Sequence, residues 1–104
     1  MTSRLIVVVL AVALVGGCSQ SSSDPVADRG RQVYLAQCTQ CHAMDPSQNG
    51  PVGPAVRGSS RDLLEARILK GSYPPGYTPK RSTSVMPPQP ALAPEIPALA
   101  AYLK

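Results

Sequence analysis

A proline-rich segment near the C-terminus places the strongest limit on how this chain can fold. Residues 72–92, SYPPGYTPKRSTSVMPPQPAL, contain six prolines and show no helix or strand periodicity. The whole chain has 12 prolines and 8 glycines but neither Phe nor Trp to fill a core. A structureless segment of this length in a small domain is usually functional or disordered. The sequence therefore predicts long loops arranged around something other than large side chains.

The first residues have the pattern of an export signal. Arg4 precedes an apolar run, LIVVVLAVALV (residues 5–15), and small residues then lead to Cys18. A basic start, a short apolar stretch and a small-residue cleavage site characterise secretory signals. The run is shorter than the roughly 20 residues of a membrane-spanning helix, although an uncleaved membrane anchor is the alternative. We expect residues 1–17 to be a signal peptide.

Residues 15–18, VGGC, resemble the lipobox of bacterial lipoproteins, in which cleavage precedes the cysteine. The resemblance implies that Cys18 carries several acyl chains, and two or more chains hold a protein on a membrane more firmly than one. The polar residues that follow predict a flexible tether over 18–25. Ser19 slightly favours the outer membrane, by resemblance to the usual sorting pattern. We therefore expect the protein on the periplasmic side of a bacterial membrane, attached through this lipid anchor.

The mature chain is short enough to form one small domain, for which an apolar core alone would be marginal. Nine basic and six acidic side chains leave it with a net charge of +3. This mild excess does not suggest nucleic-acid binding. If lipid blocks the thiol of Cys18, the free cysteines are Cys38 and Cys41, and no unpaired third cysteine remains. We expect a single domain over residues 26–104.

Helix signals occur at three places in that domain. Asp24 followed by Pro25 predicts a helix start, with a polar cap and proline in the first position. A second helix fits residues 60–70, where we expect Ser59 to act as the cap. The last helix falls in PEIPALAAYLK, residues 94–104, and its regular part should start near the second proline. The fold class expected is all-α with long Pro/Gly-rich loops.

The stretch CTQCH, residues 38–42, contains the only histidine of the chain. A structural zinc site needs four ligands, whereas Cys38, Cys41 and His42 supply at most three. A thioredoxin-like dithiol needs a βαβ context, which is missing. A plain disulfide and a chance match stay open, but they explain neither the histidine nor the proline-rich loop. C-x-x-C-H is also the attachment signature of c-type haem.

The haem interpretation has a physical reason in the spacing of the motif. Residues three apart on a helical turn share a face, so both sulfurs can reach the vinyl groups on one side of a porphyrin. The imidazole of His42 then projects towards the iron. The predicted export of the chain is also consistent with this interpretation, because bacterial c-type haem is attached outside the cytoplasm. We expect one covalent haem c on Cys38 and Cys41, which also supplies the missing apolar core.

With this motif early in the mature chain, residues 26–104 resemble a monohaem class I c-type cytochrome, here in a bacterial lipoprotein form. GPAVRG, residues 53–58, resembles the Gly-Pro-x-Leu-x-Gly loop of that family. The resemblance implies that the Pro54 carbonyl accepts a hydrogen bond from the imidazole of His42. Such contacts fix the orientation and basicity of a metal ligand.

The same resemblance extends to the helices. Gly30 and Tyr34, set against Leu99 and Tyr102, resemble the crossing of the first and last helices in class I cytochromes. Each residue taken alone is better interpreted as an ordinary core residue, and the order of the four carries the resemblance. The resemblance implies the class I cytochrome c fold, with about three main helices and long loops wrapped round a covalent haem.

The sixth iron ligand decides between electron transfer and ligand binding. Bis-histidine ligation is excluded because His42 is the only histidine, Met1 leaves with the signal, and Met44 lies too close to His42 to reach the opposite haem face. Met86 can approach from the other side, and the family also uses a loop methionine followed by proline. The alternative is a methionine that fills an apolar gap. Ligation by His42 and Met86 raises the reduction potential and fills the iron positions.

The function expected is a membrane-tethered, one-electron carrier that exchanges electrons with redox partner proteins. It would not be an enzyme, and we expect no small-molecule substrate. One alternative is a dedicated haem c subunit of a larger oxidoreductase, and another is a haem-based sensor or ligand binder. Tyr73 and Tyr77 could contact the haem propionates or be exposed turn residues. Lys80 and Arg81 could form a basic rim for acidic partners or be merely solvated.

Overall fold

The computed structural model describes residues 24–83 and 85–104. The expected signal peptide, the lipidated Cys18 and most of the tether lie outside these residues. Within them, the secondary structure comprises α1 (Pro25–Gln37), α2 (Arg61–Lys70), a 3₁₀-helix (Pro90–Glu95) and α3 (Ile96–Leu103), with no strand. The prediction of an all-α fold with long loops is confirmed.

Helix α1 begins at the predicted residue. The carboxylate of Asp24 accepts a hydrogen bond from the N–H of Val26 at 2.9 Å, and Pro25 occupies the first helical position. At the other end, the N–H of Cys38 donates to the carbonyl of Tyr34 at 2.9 Å. The helix therefore leads directly into the CTQCH stretch.

Helix α2 is capped by Ser60, so the prediction of Ser59 as its cap was wrong. The Ser60 hydroxyl accepts the N–H of Leu63 at 3.1 Å, whereas the Ser59 hydroxyl donates to the carbonyl of Val56 at 2.6 Å. Two adjacent serines carry the same local signal, and the preceding loop decides which one caps the helix. The helix ends at Gly71, whose φ of 64° lies in the left-handed region.

The residues before α3 form more structure than the sequence predicts. Residues up to 92 were expected to contain no helix, but Pro90–Glu95 form a 3₁₀-helix that runs into α3. Its two prolines lack the N–H groups of a regular α-helix, whereas short 3₁₀ turns often precede α-helices. Helix α3 starts at Ile96 and accommodates Pro97 in its first turn.

The core forms where α1 and α3 cross. A side-chain carbon on Gly30 would overlap the backbone carbonyl of Ala98, so only glycine permits this approach. The rings of Tyr34 and Tyr102 lie 5.7 Å apart between centroids, and Leu99 is fully buried beside them. The predicted crossing of first and last helices is therefore confirmed. No helix within residues 24–83 and 85–104 is both long and apolar enough to cross a membrane.

Candidate functional site

A large, mostly apolar cleft opens between the helices and the proline-rich loop. It contains about 1050 Å³ of space, part of it open to solvent. Concave clefts lined mainly by apolar side chains with a few polar groups are where proteins commonly bind ligands and cofactors. The structure brings the predicted site residues together along its walls: Cys38, Cys41, His42, Pro54, Tyr73, Tyr77 and Met86.

The CTQCH stretch forms a single turn at the end of α1. The N–H groups of Cys41 and His42 both donate to the carbonyl of Cys38, at 3.3 Å and 3.0 Å respectively. Both cysteines and the imidazole consequently line the same cleft. The two thiols are not joined by a disulfide bond.

The environment of Cys38 differs from that of a redox-active thiol. Burial raises the pKa of Cys38 to about 11, because the thiolate would lose its hydration in the apolar cleft. Reactive dithiols instead depend on a lowered pKa, with a nearby positive charge or helix N-terminus. The site therefore suits a protonated thiol rather than disulfide exchange. Within the described residues, no three His, Cys, Asp or Glu side chains are grouped to hold a metal by themselves.

The imidazole of His42 is held by the backbone of the following loop. Its Nδ1 lies 2.8 Å from the carbonyl oxygen of Pro54. Because a carbonyl oxygen can only accept, Nδ1 must carry the proton and donate it. The neutral ring then keeps the lone pair on Nε2, which is the tautomer that a metal-binding histidine requires.

Two glycines let this loop lie directly against the CTQCH turn. A side-chain carbon on Gly53 would come within 2.7 Å of Nδ1 of His42, and one on Gly50 would overlap the carbonyl of Cys41. The N–H of Gly53 also donates to the Cys41 carbonyl, at 2.8 Å. Sequence reasoning treated Gly53 only as part of the GPAVRG motif and missed Gly50. The two glycines in GPVG, three residues apart, were the available signal.

Tyr34 has a second contact that sequence reasoning missed. Besides packing at the helix crossing, its hydroxyl donates to the carbonyl of Ala43 at 2.5 Å. Ala43 directly follows His42, so a partly buried hydrogen bond connects α1 to the segment beyond the imidazole. Helix position alone predicted only the apolar contact of this ring.

On the opposite wall, two tyrosines and an arginine form a stack. The rings of Tyr73 and Tyr77 are nearly parallel, with centroids 5.5 Å apart. The guanidinium of Arg67 lies 4.3 Å from the Tyr73 ring centroid and donates to the carbonyl of Gly71 at 2.8 Å. Tyr73 and Tyr77 are therefore half-buried cleft residues rather than exposed turn residues.

The loop that carries Met86 is attached at two points. Beyond Met86, the N–H of Gln89 donates to the carbonyl of Ile68 in α2 at 2.6 Å. Before it, the ammonium of Lys80 donates to the carbonyl of Ala55 at 2.8 Å. Lys80 is exposed but not merely solvated, because it joins the two walls of the cleft. Arg81 lies beside it on the exposed rim.

The two remaining methionine candidates occupy different environments. Met86 is half-buried and lines the cleft together with His42. Met44 is 73% exposed and does not line the cleft. Met1 lies outside the described residues. Of these two methionines, Met86 is therefore the one that the structure places in the cleft beside His42.

These features define a small all-α protein with a large apolar cleft beside a C-x-x-C-H turn. A family model described as cytochrome c matches residues 27–104. The chain therefore belongs to the cytochrome c family and is a class I c-type cytochrome, a haem-binding electron carrier. Comparison with curated proteins and with solved structures gave no match. Members of this family bind covalent haem c, and their role is generally electron transfer rather than catalysis.

The residues present fit a single haem c. Two thiols on one turn match covalent attachment, and the hydrogen bond between Nδ1 of His42 and Pro54 leaves Nε2 available to bind iron. The apolar lining suits a porphyrin ring, since such sites are mostly hydrophobic with a few placed polar groups. Arg67 and Lys80 provide positive charge at the cleft.

Proposed function

We propose that this protein is a membrane-tethered, one-electron carrier on the periplasmic side of a bacterial membrane. Its haem c is attached through Cys38 and Cys41, with His42 and Met86 as the two axial iron ligands. The observation that carries the proposal is the hydrogen bond between His42 and Pro54 inside the cleft that Met86 also lines. It supports an imidazole whose other nitrogen is available to a metal.

The arrangement favours electron transfer over substrate chemistry. Bound haem supplies an iron that changes oxidation state by one electron. With an imidazole and a thioether as ligands, the iron has no open position for a substrate, and its potential is raised. The prolines around Met86 and the two attachments of its loop restrict motion of the thioether. The apolar lining of the cleft would disfavour water beside the bound haem.

The tether is proposed from the sequence of the N-terminus. Lipid on Cys18 would keep the domain within a short distance of the membrane, and residues 18–25 would act as a flexible linker. Such tethering raises the local concentration near membrane-bound donors and acceptors without new contacts. We propose cleavage after residue 17, and the outer membrane is slightly favoured.

Haem attachment is tested by expression together with the haem-attachment machinery. Mature wild-type protein should retain haem on a denaturing gel, with a mass increase equal to one haem. Single Cys38→Ser and Cys41→Ser variants should lose normal attachment. The control is Ser47→Ala, which alters an exposed polar loop residue that does not line the cleft. Mature protein with two free thiols and no haem would overturn the proposal.

Axial ligation by Met86 is tested by comparing Met86→Ala with Met44→Ala. The Met86 variant should lose the weak long-wavelength band of Met-ligated ferric haem, have a lower potential and bind carbon monoxide in the ferrous state. The Met44 variant should behave as wild type, because its side chain is 73% exposed. Unchanged behaviour of Met86→Ala on all three measurements would reject this ligand. Ready binding of carbon monoxide by wild type would instead favour a ligand sensor.

Anchoring is tested by cell fractionation of wild type and Cys18→Ala. Wild type should carry acyl chains and sediment with membranes, and separation of inner from outer membranes identifies the location. A signal-replaced soluble form should retain the same haem spectrum. Native size-exclusion distinguishes a carrier from a fixed subunit. A stable stoichiometric partner in detergent extracts would contradict the free-carrier proposal.

A further inference from the structure

We propose that Asn49 is a positioning residue that strengthens the hydrogen bond to His42 and thereby lowers the reduction potential. It would act through the peptide unit between Pro54 and Ala55. The inference rests on the proposed function, in which His42 is the proximal iron ligand.

Two hydrogen bonds connect Asn49, the Pro54–Ala55 peptide unit and His42. The side-chain oxygen of Asn49 accepts a hydrogen bond from the N–H of Ala55 at 3.0 Å. The carbonyl of Pro54, which belongs to the same peptide unit, lies 2.8 Å from Nδ1 of His42. Because a backbone N–H can only donate, the amide oxygen of Asn49 must be the acceptor. One planar peptide therefore connects Asn49 to the imidazole.

A peptide unit can transmit this effect because its N–H and C=O groups share electrons by resonance. An acceptor at the N–H draws positive charge to that end and leaves more negative charge on the oxygen. Hydrogen bonds in such chains strengthen one another by about 10–30% per bond. The Pro54 carbonyl thus becomes a better acceptor for the Nδ1 proton, and a more basic imidazole favours the ferric iron.

Backbone hydrogen bonds of the surrounding loop fix the position of these hydrogen-bonded groups. The residues on either side of Asn49 are fixed by backbone bonds, Gln48 to Asp45 at 3.0 Å and Gly50 to Gly53 at 2.9 Å. At the far end, the carbonyl of Ala55 accepts from Lys80 at 2.8 Å. Both peptide units that flank Ala55 are therefore bonded to side chains from other parts of the chain. A purely mechanical brace would also need these contacts, so the test must separate bracing from polarisation.

The test compares Asn49→Asp and Asn49→Ala in the mature holoprotein. Aspartate keeps an acceptor and makes it stronger, whereas alanine removes it. Gln48→Glu and Gln48→Ala are the matched controls, because the neighbouring exposed residue changes charge without a bond to this peptide. We expect Asn49→Ala to raise the potential and Asn49→Asp to lower it beyond Gln48→Glu. The expected size is about threefold in the oxidation equilibrium, or about 28 mV at 59 mV per tenfold.

A second measurement is the proton chemical shift of His42 Nδ1–H in the reduced protein. A stronger bond moves this signal downfield in Asn49→Asp, and a weaker one moves it upfield in Asn49→Ala. A bracing role would change both variants in the same direction, together with their melting temperatures. Equal potentials for Asn49→Asp and Gln48→Glu, or shifts of the same sign in both Asn49 variants, overturn the inference.

Failure of the inference can be distinguished from failure of the proposed function. Wild-type protein that carries covalent haem ligated by His42, but whose Asn49 variants match their controls, rejects only the role of Asn49. Wild-type protein without covalent haem, or with haem that lacks the imidazole ligand, rejects the proposed function itself.

Discussion

The two sides of the cleft are stabilised in different ways. On one side is the helix junction, formed by Gly30, Tyr34, Ala98 and Leu99, where α1 and α3 cross. Its side chains are buried almost completely, and Gly30 brings the two backbones into contact. Packing of this kind stabilises a fold through apolar burial, without any bound group.

On the other side is the loop wall, residues 72–83 and 85–89. It has no regular secondary structure, and the contacts that hold it include the Lys80–Ala55 and Gln89–Ile68 hydrogen bonds. Val85 and Met86 on this wall line the cleft; Val85 is largely exposed, and Met86 packs only partly buried against the core. From this comparison we expect the helix junction to be stable through its own packing and the loop wall to depend more on the group that it encloses.

The largest expected effect comes from breaking the helix junction with Gly30→Ala. In most helices this change is stabilising by up to about 1 kcal/mol. Here the new methyl group would overlap the Ala98 carbonyl, so the helices must separate. We expect a net loss near 5 kcal/mol, which is exceptional for one substitution, measured by chemical denaturation. The neighbouring exposed Arg31→Ala should change stability by less than about 0.5 kcal/mol. A Gly30→Ala protein as stable as wild type would contradict the role given to the junction.

A second prediction compares the loss of stability caused by shortening one apolar side chain in each region. Leu99→Ala removes a side chain that is 1% exposed and should cost about 3 kcal/mol. Val85→Ala removes a side chain that is 64% exposed on the loop wall and should cost less than about 0.5 kcal/mol. Both unfolding free energies are measured on the holoprotein. Equal losses would mean that the two regions do not differ as proposed.

Tyr34→Phe probes the link between the junction and the segment beyond His42. Loss of the bond to Ala43 should cost about 1 kcal/mol near pH 7. Burial raises the pKa of Tyr34 to about 12 from its ordinary value of 10.0. The contribution is therefore fully present below about pH 10 and lost as the pH rises towards 12.

The check is denaturant unfolding of both proteins between pH 7 and pH 11.5. The advantage of wild type should shrink above about pH 10. Tyr102→Phe is the control, since it removes a hydroxyl of the neighbouring ring that does not bond to Ala43. A constant difference across the whole range would show that the Tyr34 hydroxyl does not titrate as its burial requires.

The same division explains what the sequence could predict. The start of α1 at Asp24 and Pro25 follows from a local capping signal. The crossing of α1 and α3 was expected from the resemblance to class I cytochromes. The fold class and the cluster of predicted site residues were accessible because short motifs specify them. Ser59 was chosen wrongly because local signals cannot separate two adjacent serines.

The loop wall was less predictable because its contacts join residues distant in sequence. The Lys80–Ala55 bond spans 25 residues, and no periodic pattern encodes it. The 3₁₀-helix before α3 was missed because its prolines indicate an interruption of regular structure. The hydrogen bond between Asn49 and the N–H of Ala55 carries no sequence signal, so it could be found only once the loop was folded.

The smallest effect on stability should come from Lys80→Met, yet it is the sharpest test of the loop wall. The change removes the bond to the Ala55 carbonyl and keeps a side chain of similar length. As a surface substitution, it should alter the global unfolding free energy by less than about 0.5 kcal/mol. Local opening should nevertheless increase, because one of the attachments beside Met86 is lost.

Hydrogen exchange measures this difference directly. In Lys80→Met, amides of residues 76–83 and 85–89 should exchange faster, while those of α1 and α3 keep the wild-type rate. Arg81→Met is the control, because it removes the same charge from the next residue without breaking the bond to Ala55. Faster exchange in α1 as well would mean that the two regions unfold as one unit. Wild-type exchange throughout the loop would mean that enclosure of the haem, and not Lys80, holds this wall closed.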